Sequence, residues 1–599
     1  MYTPQRSFFF LVLLALSFAP SAWCLEIYAP RGPSLKLRPV VAHRNSSLVP
    51  SIPARAFTRD VRPLALTLRK VEGAGIGSGG DHALSARLAA RGTVGVVAAT
   101  FSNQLYNVLL AVGAWNFQVA LDTASSDFWL LSSTCSTAQC KGQPLYPSAY
   151  YSPTFVGVNS NLTAFNESFA DGSAVQGFVA RETVSLAGFQ VPQQALALVQ
   201  TSNSTLPPKV SGLLGLGFPR LSGISRSTSN APPIISSLVQ SGQLAYPLFG
   251  LSVAPQGTST LSLGAIDSSV IPNVTSIEWL PVVPFSPAVN GTSTSAYLQW
   301  AVQLASMSLN GTAIPLHPTY PNITGPSPLA LFDIGTSGIY GPYQDVAQIF
   351  ARIQDSRLVG DGVWAIPCAG AQPLTLVFQQ KNITIQPSDM LIGVVSGTPN
   401  MCLSWPVALA PSSDGIDWQF GSPFLKNVYS IFSYGIDGIE PPMIGLYPLS
   451  NVTTSTQAPQ VISQALSAAS ATVYSTLPNV LLPAPTYTTP PYLFDTLAPS
   501  PTLGQLPLSE MGVSTYKPLI TAPAITYLPT VSPPPSVIVV NFTDRSGVVH
   551  VSTSMLPHNT AVLGRPSGSS RTISLSWTST LFAVSAALLC SALAGLFVI

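Results

Sequence analysis

The chain is 599 residues long, with 46% apolar and only 8% charged residues, 25 Lys and Arg against 23 Asp and Glu, and a formal net charge of +2. So little charge, alongside 56 Pro, argues against a helix-rich cytosolic protein and against a nucleic-acid binder. The only histidines, His43, His82, His317, His550 and His558, lack metal-ligand spacing, so neither a metal nor another cofactor is expected.

In chain order, Arg6 precedes the apolar run Phe8 to Phe18, and Ala22 and Cys24 supply the small residues of a signal-peptidase site. Residues 1–24 therefore read as a signal peptide, and 25–91 as a basic propeptide with a flexible linker. From Arg31 to Lys70 there are nine basic residues and one acid, Asp60, whereas from Gly92 onward 13 Lys and Arg face 19 Asp and Glu, a net of −6. A cationic leader beside an acidic body fits a segment held over a carboxylate-bearing cleft, with a plain disordered linker as the alternative. Arg69-Lys70 and the glycine-rich Gly73 to Gly80 offer places to cut it away.

The stretch from Tyr106 to about Pro448 reads as mostly strand. Tyr106 to Val112, Phe117 to Leu121 and Phe178 to Leu186 are short, apolar-rich and bounded by turn residues. Helical spacing is confined to Pro233 to Gln240 and Tyr343 to Ile353. The segments Leu121-Asp122-Thr123-Ala124-Ser125-Ser126 and Phe332-Asp333-Ile334-Gly335-Thr336-Ser337 are degenerate copies of one another. Two related halves are expected, 92–268 and 269–450, each contributing one carboxylate to a shared site. Two carboxylates a few Å apart cannot both ionise freely, so they hold one proton between them and can act together as base and acid.

Cys135, Cys140, Cys368 and Cys402 remain once Cys24 and Cys590 are assigned to the terminal segments. An even set on a secretory route reads as bridges within each half, with buried thiols as the alternative. Eleven Asn-x-Ser/Thr sequons agree with that route: Asn45, Asn161, Asn166, Asn203, Asn273, Asn290, Asn310, Asn322, Asn382, Asn451 and Asn541. Residues 451–570 are rich in Ser, Thr and Pro and read as a glycosylated stalk, although apolar patches such as Ser536 to Val540 could form short strands. Within 571–599, the apolar run Leu581 to Ile599 lies beyond the small residues Ser567 to Ser570, the pattern of a GPI-attachment signal, with a transmembrane helix as the alternative.

Taken together, these motifs resemble the pepsin-type aspartic protease family, in its fungal secreted or GPI-anchored form. Asp122-Thr123-Ala124-Ser125-Ser126 and Asp333-Ile334-Gly335-Thr336-Ser337 correspond to its two active-site signatures. Gly212 to Gly217 and Trp418 to Gly421 correspond to the apolar strands that thread against the catalytic loops. The resemblance implies an all-β, bilobal acid protease fold with a cleft between two related lobes. It implies Asp122 and Asp333 as the catalytic pair, with Ser125, Thr336, Thr123 and Gly335 supporting the carboxylates, and Trp129 behind a flap formed by Phe169, Gly172 and Ser173. It also implies the disulfides Cys135–Cys140 and Cys368–Cys402, a peptide or unfolded-protein substrate with apolar residues at the cut, inhibition by the chain's own propeptide, a monomer, and an acidic optimum of about pH 3 to 5.

Three departures bear on activity: Ala124 and Ile334 stand where the family has Gly and a hydroxyl residue, and Phe169 where the flap has Tyr. A catalytically weakened surface protein that binds peptides or wall components is therefore the competing expectation. Ser125 as a serine nucleophile lacks both a Gly-x-Ser-x-Gly elbow and a histidine motif.

Overall fold

The computed structural model describes residues 92–99, 105–148, 152–253, 259–285, 297–360 and 362–449, then 457–469, 472–483, 485–493 and short segments between 516 and 564. The expected signal peptide, the whole of the expected leader 25–91 and the C-terminal apolar run lie outside the described residues.

Alternating apolar residues dictate the first lobe. In Leu105–Val112, Tyr106, Val108, Leu110 and Val112 are all buried. The strand pairs on one side with Trp115–Asp122 and on the other, through Ala111 and Val112, with Ala174–Leu186. Between those two the sheet runs through Val210–Gly215, Phe128–Leu131 and Phe189–Ser202, so it closes on itself as a barrel of mixed topology. Closure removes exposed strand edges and leaves an apolar interior.

The second lobe repeats the central device of the first. Leu329–Phe332 runs parallel to Ile416–Phe420, which in turn pairs antiparallel with Ile339–Pro342. This matches the first lobe, where Trp115–Asp122 runs parallel to Val210–Gly215 and the latter pairs antiparallel with Phe128–Leu131. In each lobe one strand therefore passes between the two arms of the loop that carries its Asp-x-small-Ser/Thr-Ser motif. The expected helices form as Ile234–Gln240 and Tyr343–Phe350, the latter burying Val346, Ile349 and Phe350.

A shared sheet joins the lobes. Glu278–Pro281, Met443–Pro448 and Val428–Ser433 from the second half continue into Leu248–Ser252, Ser259–Leu263 and Gly92–Ala99 from the first. Phe249 and Phe432 are register partners across the seam, with rings stacked 4.8 Å apart. Trp300 packs against both and donates its indole N–H to the Leu216 carbonyl at 3.0 Å, and the Tyr434 hydroxyl donates to that same carbonyl at 2.8 Å. The backbone just after the first lobe's central strand is thus fixed from the second lobe.

The region read as an extended stalk differs from that expectation where it is described. The helix Pro459–Ala469 buries Ile462, Thr472–Val473 extends the sheet edge at Val394, and Thr530–Val531 pairs with Ile266–Asp267. Tyr516, Ile520 and Leu528 are buried. Isolated apolar anchors hold these pieces on the lobes, and a reading based on average Ser/Thr/Pro content passes over them. Val537–Thr543 and Val549–Met555 form an antiparallel hairpin.

Candidate active site

Asp122 ends one central strand and Asp333 follows the other, and both are almost fully buried. Their surroundings are nearly twofold symmetric. The Ala124 N–H donates to Asp122 Oδ1 at 2.8 Å and the Gly335 N–H to Asp333 Oδ1 at 2.8 Å. The Ser125 hydroxyl donates to Asp122 Oδ2 at 2.6 Å and the Thr336 hydroxyl to Asp333 Oδ2 at 2.5 Å. Each outer oxygen is therefore held by a hydroxyl, and each inner oxygen by a backbone amide.

The inner oxygens converge. A Cβ placed on Gly335 would lie 2.8 Å from Asp122 Oδ1 and 3.2 Å from Asp333 Oδ1. The two oxygens are thus no farther apart than those distances laid end to end, and Gly335 has no room for a side chain. Burial, then the neighbouring Asp333 charge, pushes the Asp122 carboxyl above the ordinary carboxylate range, against the pull of its bonds from Ser125 and Ala124.

Thr123 ties the two loops together. Its hydroxyl donates to the Phe332 carbonyl at 3.0 Å and accepts the Ile334 N–H at 3.0 Å. Ile334, fully buried, offers no hydroxyl in return, so the brace runs from one side only. Ala124 is accommodated because its φ is negative. The threading strands come so close that a Cβ on Gly215 would meet Ser126 backbone at 2.5 Å, and one on Gly421 the Thr336 carbonyl at 2.1 Å.

A model of the eukaryotic aspartyl protease family matches residues 106–440. The chain belongs to this family. It is 29% identical to an aspartic protease of Phaffia rhodozyma over 342 residues, which cover 56% of this chain and 75% of that one. It is 28% identical to the major aspartyl peptidase 1 of Cryptococcus neoformans var. grubii over 337 residues, 55% of this chain and 65% of that protein. With cathepsin E of Mus musculus the identity is 26% over 330 residues, 53% and 75% of the respective chains. Membership in the aspartyl protease family implies hydrolysis of peptide bonds through two aspartates.

Phe169, Gly172 and Ser173, expected at the flap, lie in the turn of the hairpin formed by Ala164–Ser168 and Ala174–Leu186. Its turn is closed by the Phe169 N–H on the Ser173 carbonyl at 2.8 Å and the Gly172 N–H on the Phe169 carbonyl at 3.0 Å, with Gly172 at a φ of +80° that only glycine adopts readily. The Phe169 ring lies 6.5 Å from that of Trp129, which is fully buried and whose indole N–H has no acceptor among the described residues. The disulfides Cys135–Cys140 and Cys368–Cys402 are both formed, with S–S distances of 1.97 and 2.03 Å.

Two residues at the site escaped sequence reasoning as individuals. The Gln419 side-chain amide donates to Thr336 Oγ1 at 2.6 Å and to Asp333 Oδ2 at 3.1 Å, so it backs the second carboxylate in a way nothing on the first lobe's Gly212 to Gly217 strand reproduces. The available signal was a polar residue between Trp418 and Phe420 in a buried strand. Glu167, on the flap strand, lines the cleft with Asp127 and Arg226. It is a charged residue at an inward position of an otherwise apolar face. The cleft has a cavity volume of about 460 Å³.

Proposed function

We propose that this protein is an acid-acting aspartic endopeptidase in which Asp122 and Asp333 bind one water between their inner oxygens. The single observation that carries this reading is the convergence of those oxygens beside Gly335, each held by a backbone amide while a hydroxyl holds the outer oxygen of the same carboxyl. One carboxyl, ionised, takes a proton from the water as it attacks the scissile carbonyl carbon. The other, protonated, donates to the carbonyl oxygen. The resulting diol collapses with proton return to the leaving nitrogen. Ser125, Thr336, Thr123 and Gly335 hold the two carboxylates in place, while Phe169, Gly172 and Ser173 close over an extended peptide that pairs with the flap. No metal or cofactor enters this chemistry.

The same reading makes the protein a fungal secreted or GPI-anchored member, kept inactive by its own basic propeptide and acting as a monomer at the cell surface, plasma membrane or wall. A secretory route is supported by the seven sequon asparagines with described surroundings, Asn161, Asn166, Asn203, Asn273, Asn310, Asn322 and Asn382, all of which are exposed.

A second reading, a weakened protease-like protein that binds peptides or wall components, draws on the buried Trp129 N–H, which has no acceptor among the described residues, and the one-sided Thr123 brace. Incubating the full chain with denatured protein from pH 2.5 to 7 separates the two. Acid-dependent cleavage blocked by a statine-type transition-state mimic supports the endopeptidase. Absence of cleavage across that range, with the mimic still bound, supports the binding protein.

A further inference from the structure

Successive residues of a strand point to opposite faces, so Phe165, Glu167 and, just past the strand end, Phe169 share the inward side of the flap. Phe165 is buried with Trp129, Val175 and Val179, and Phe169 packs on the same cluster. Glu167 therefore occupies a position whose neighbours along the strand are both aromatic. A break of the local pattern at an inward position of a cleft marks function more often than stability.

The carboxyl of Glu167 is also incompletely satisfied. Its Oε2 is buried and accepts no hydrogen bond from the described residues. Other carboxylates lining the cleft are occupied: Asp127 accepts from the Ser222 hydroxyl and from the Gly223 and Ile224 N–H groups, and Asp417 from the Thr319 and Leu329 N–H groups and the Thr319 hydroxyl. Arg226, the one basic residue in the lining, donates to the Leu221 carbonyl at 2.9 Å. A buried acceptor left open inside a peptide-binding cleft is answered by a donor from the occupant, since otherwise its desolvation goes uncompensated.

We propose that Glu167 is a specificity-determining residue, whose open oxygen takes the ammonium or guanidinium of a substrate lysine or arginine close to the scissile bond. The assignment rests on the proteolytic reading of the cleft and replaces the purely apolar preference expected from sequence with a mixed one. Asp127 and Asp122 on the catalytic loop face this carboxyl with negative charge, and Arg226 on the helix Gly223–Ser227 opposes them. Burial, then Asp127 and Asp122, raises Glu167 well above the usual range, so the preference for a basic residue strengthens as pH rises and Glu167 ionises.

The test is a peptide library randomised on both sides of the cut, digested by the full chain and by its Glu167→Gln and Glu167→Lys variants, with products sequenced by mass spectrometry. Assayed at the highest pH at which it still cleaves, where Glu167 is most ionised, wild type should favour Lys or Arg over Leu by about 10-fold or more at one position, the scale of a desolvated charge pair, with a smaller ratio at lower pH. Glu167→Gln should bring that ratio near one, and Glu167→Lys should shift it toward Asp or Glu. Because the readout is a ratio, a general loss of activity does not move it. An unchanged Lys-to-Leu ratio in Glu167→Gln, or no basic preference in wild type, overturns the assignment. If wild type cleaves nothing, the proteolytic reading fails by itself. The affinities of immobilised statine peptides carrying Lys or Leu at each flanking position, for wild type and Glu167→Gln, then decide the role of Glu167 in the same two ways.

Discussion

The indole N–H of Trp129 lies buried beside the ring of Phe169, 6.5 Å between centroids, with no acceptor among the described residues. A hydroxyl on that ring is the missing acceptor. Phe169→Tyr should raise kcat/KM by roughly 2- to 10-fold, the equivalent of one net hydrogen bond of about 0.5 to 1.5 kcal/mol. Steady-state kinetics on a single peptide checks this, and a fall in kcat/KM would show that the phenylalanine flap has settled into a different working position.

Thr123 carries the loop brace alone. Thr123→Val keeps the shape and strands the Phe332 carbonyl and the Ile334 N–H, both of which it now satisfies. A loss of about 2 to 4 kcal/mol in unfolding free energy is expected from two buried groups left unpaired, measurable as a lower denaturant midpoint. Hydrolysis should fall further than stability, because the loops carrying both carboxylates are the elements it joins.

Seven carboxyls, the buried Asp122, Asp127, Asp345 and Asp417 and the half-buried Glu167, Asp389 and Asp414, are all raised, with loss of solvent the largest cause in each. A raised carboxyl binds more protons folded than unfolded above its unfolded pKa of about 4, so its contribution is complete below that pH and is lost as pH rises through the folded value. Melting temperature should therefore decline from pH 4 to pH 7. Asp122→Asn, which removes one such group, should make the decline shallower. A melting temperature that climbs over this interval would contradict the burial of these groups.

Much of the architecture was legible because apolar alternation, turn residues and the two Asp-x-small-Ser/Thr repeats all point to one answer. Tyr106 to Val112 and Phe117 to Leu121 lie within the strands they suggested, and the carboxylates of the two repeats, Asp122 and Asp333, come together beside Gly335. What stayed hidden depends on contacts between distant positions. The partner of Gln419 is Asp333, across a sheet, and the Glu167 Oε2 without a donor among the described residues is buried only once the chain is folded around the cleft. The packed parts of the Ser/Thr/Pro-rich region were hidden for another reason: a few anchors such as Ile462, Tyr516 and Leu528 are diluted in a composition typical of extended chain.

Glu440 shows what those anchors achieve. It is 2% exposed and accepts the Tyr246 hydroxyl, the Ile520 and Thr521 N–H groups at 3.0 and 2.9 Å, and the Thr521 hydroxyl at 3.1 Å. One carboxylate thus fastens the later segment to the sheet shared by both lobes. Glu440→Ala should destabilise the protein by about 3 kcal/mol or more, since several buried donors lose their acceptor, while Glu440→Gln should cost less. Equilibrium denaturation of the two variants measures the difference, and an unchanged midpoint in Glu440→Ala would show that the 516–522 segment contributes nothing to stability.

The most direct test of the account compares the rate of acid cleavage of one peptide by wild type, Asp122→Asn, Asp333→Asn and the double variant. Two carboxyls that work as one acid–base unit predict that each single change lowers kcat by about 1,000-fold or more, and that the double change is no worse than either alone. Either single variant cleaving at a rate close to wild type would contradict the claim that Asp122 and Asp333 share one water and one proton.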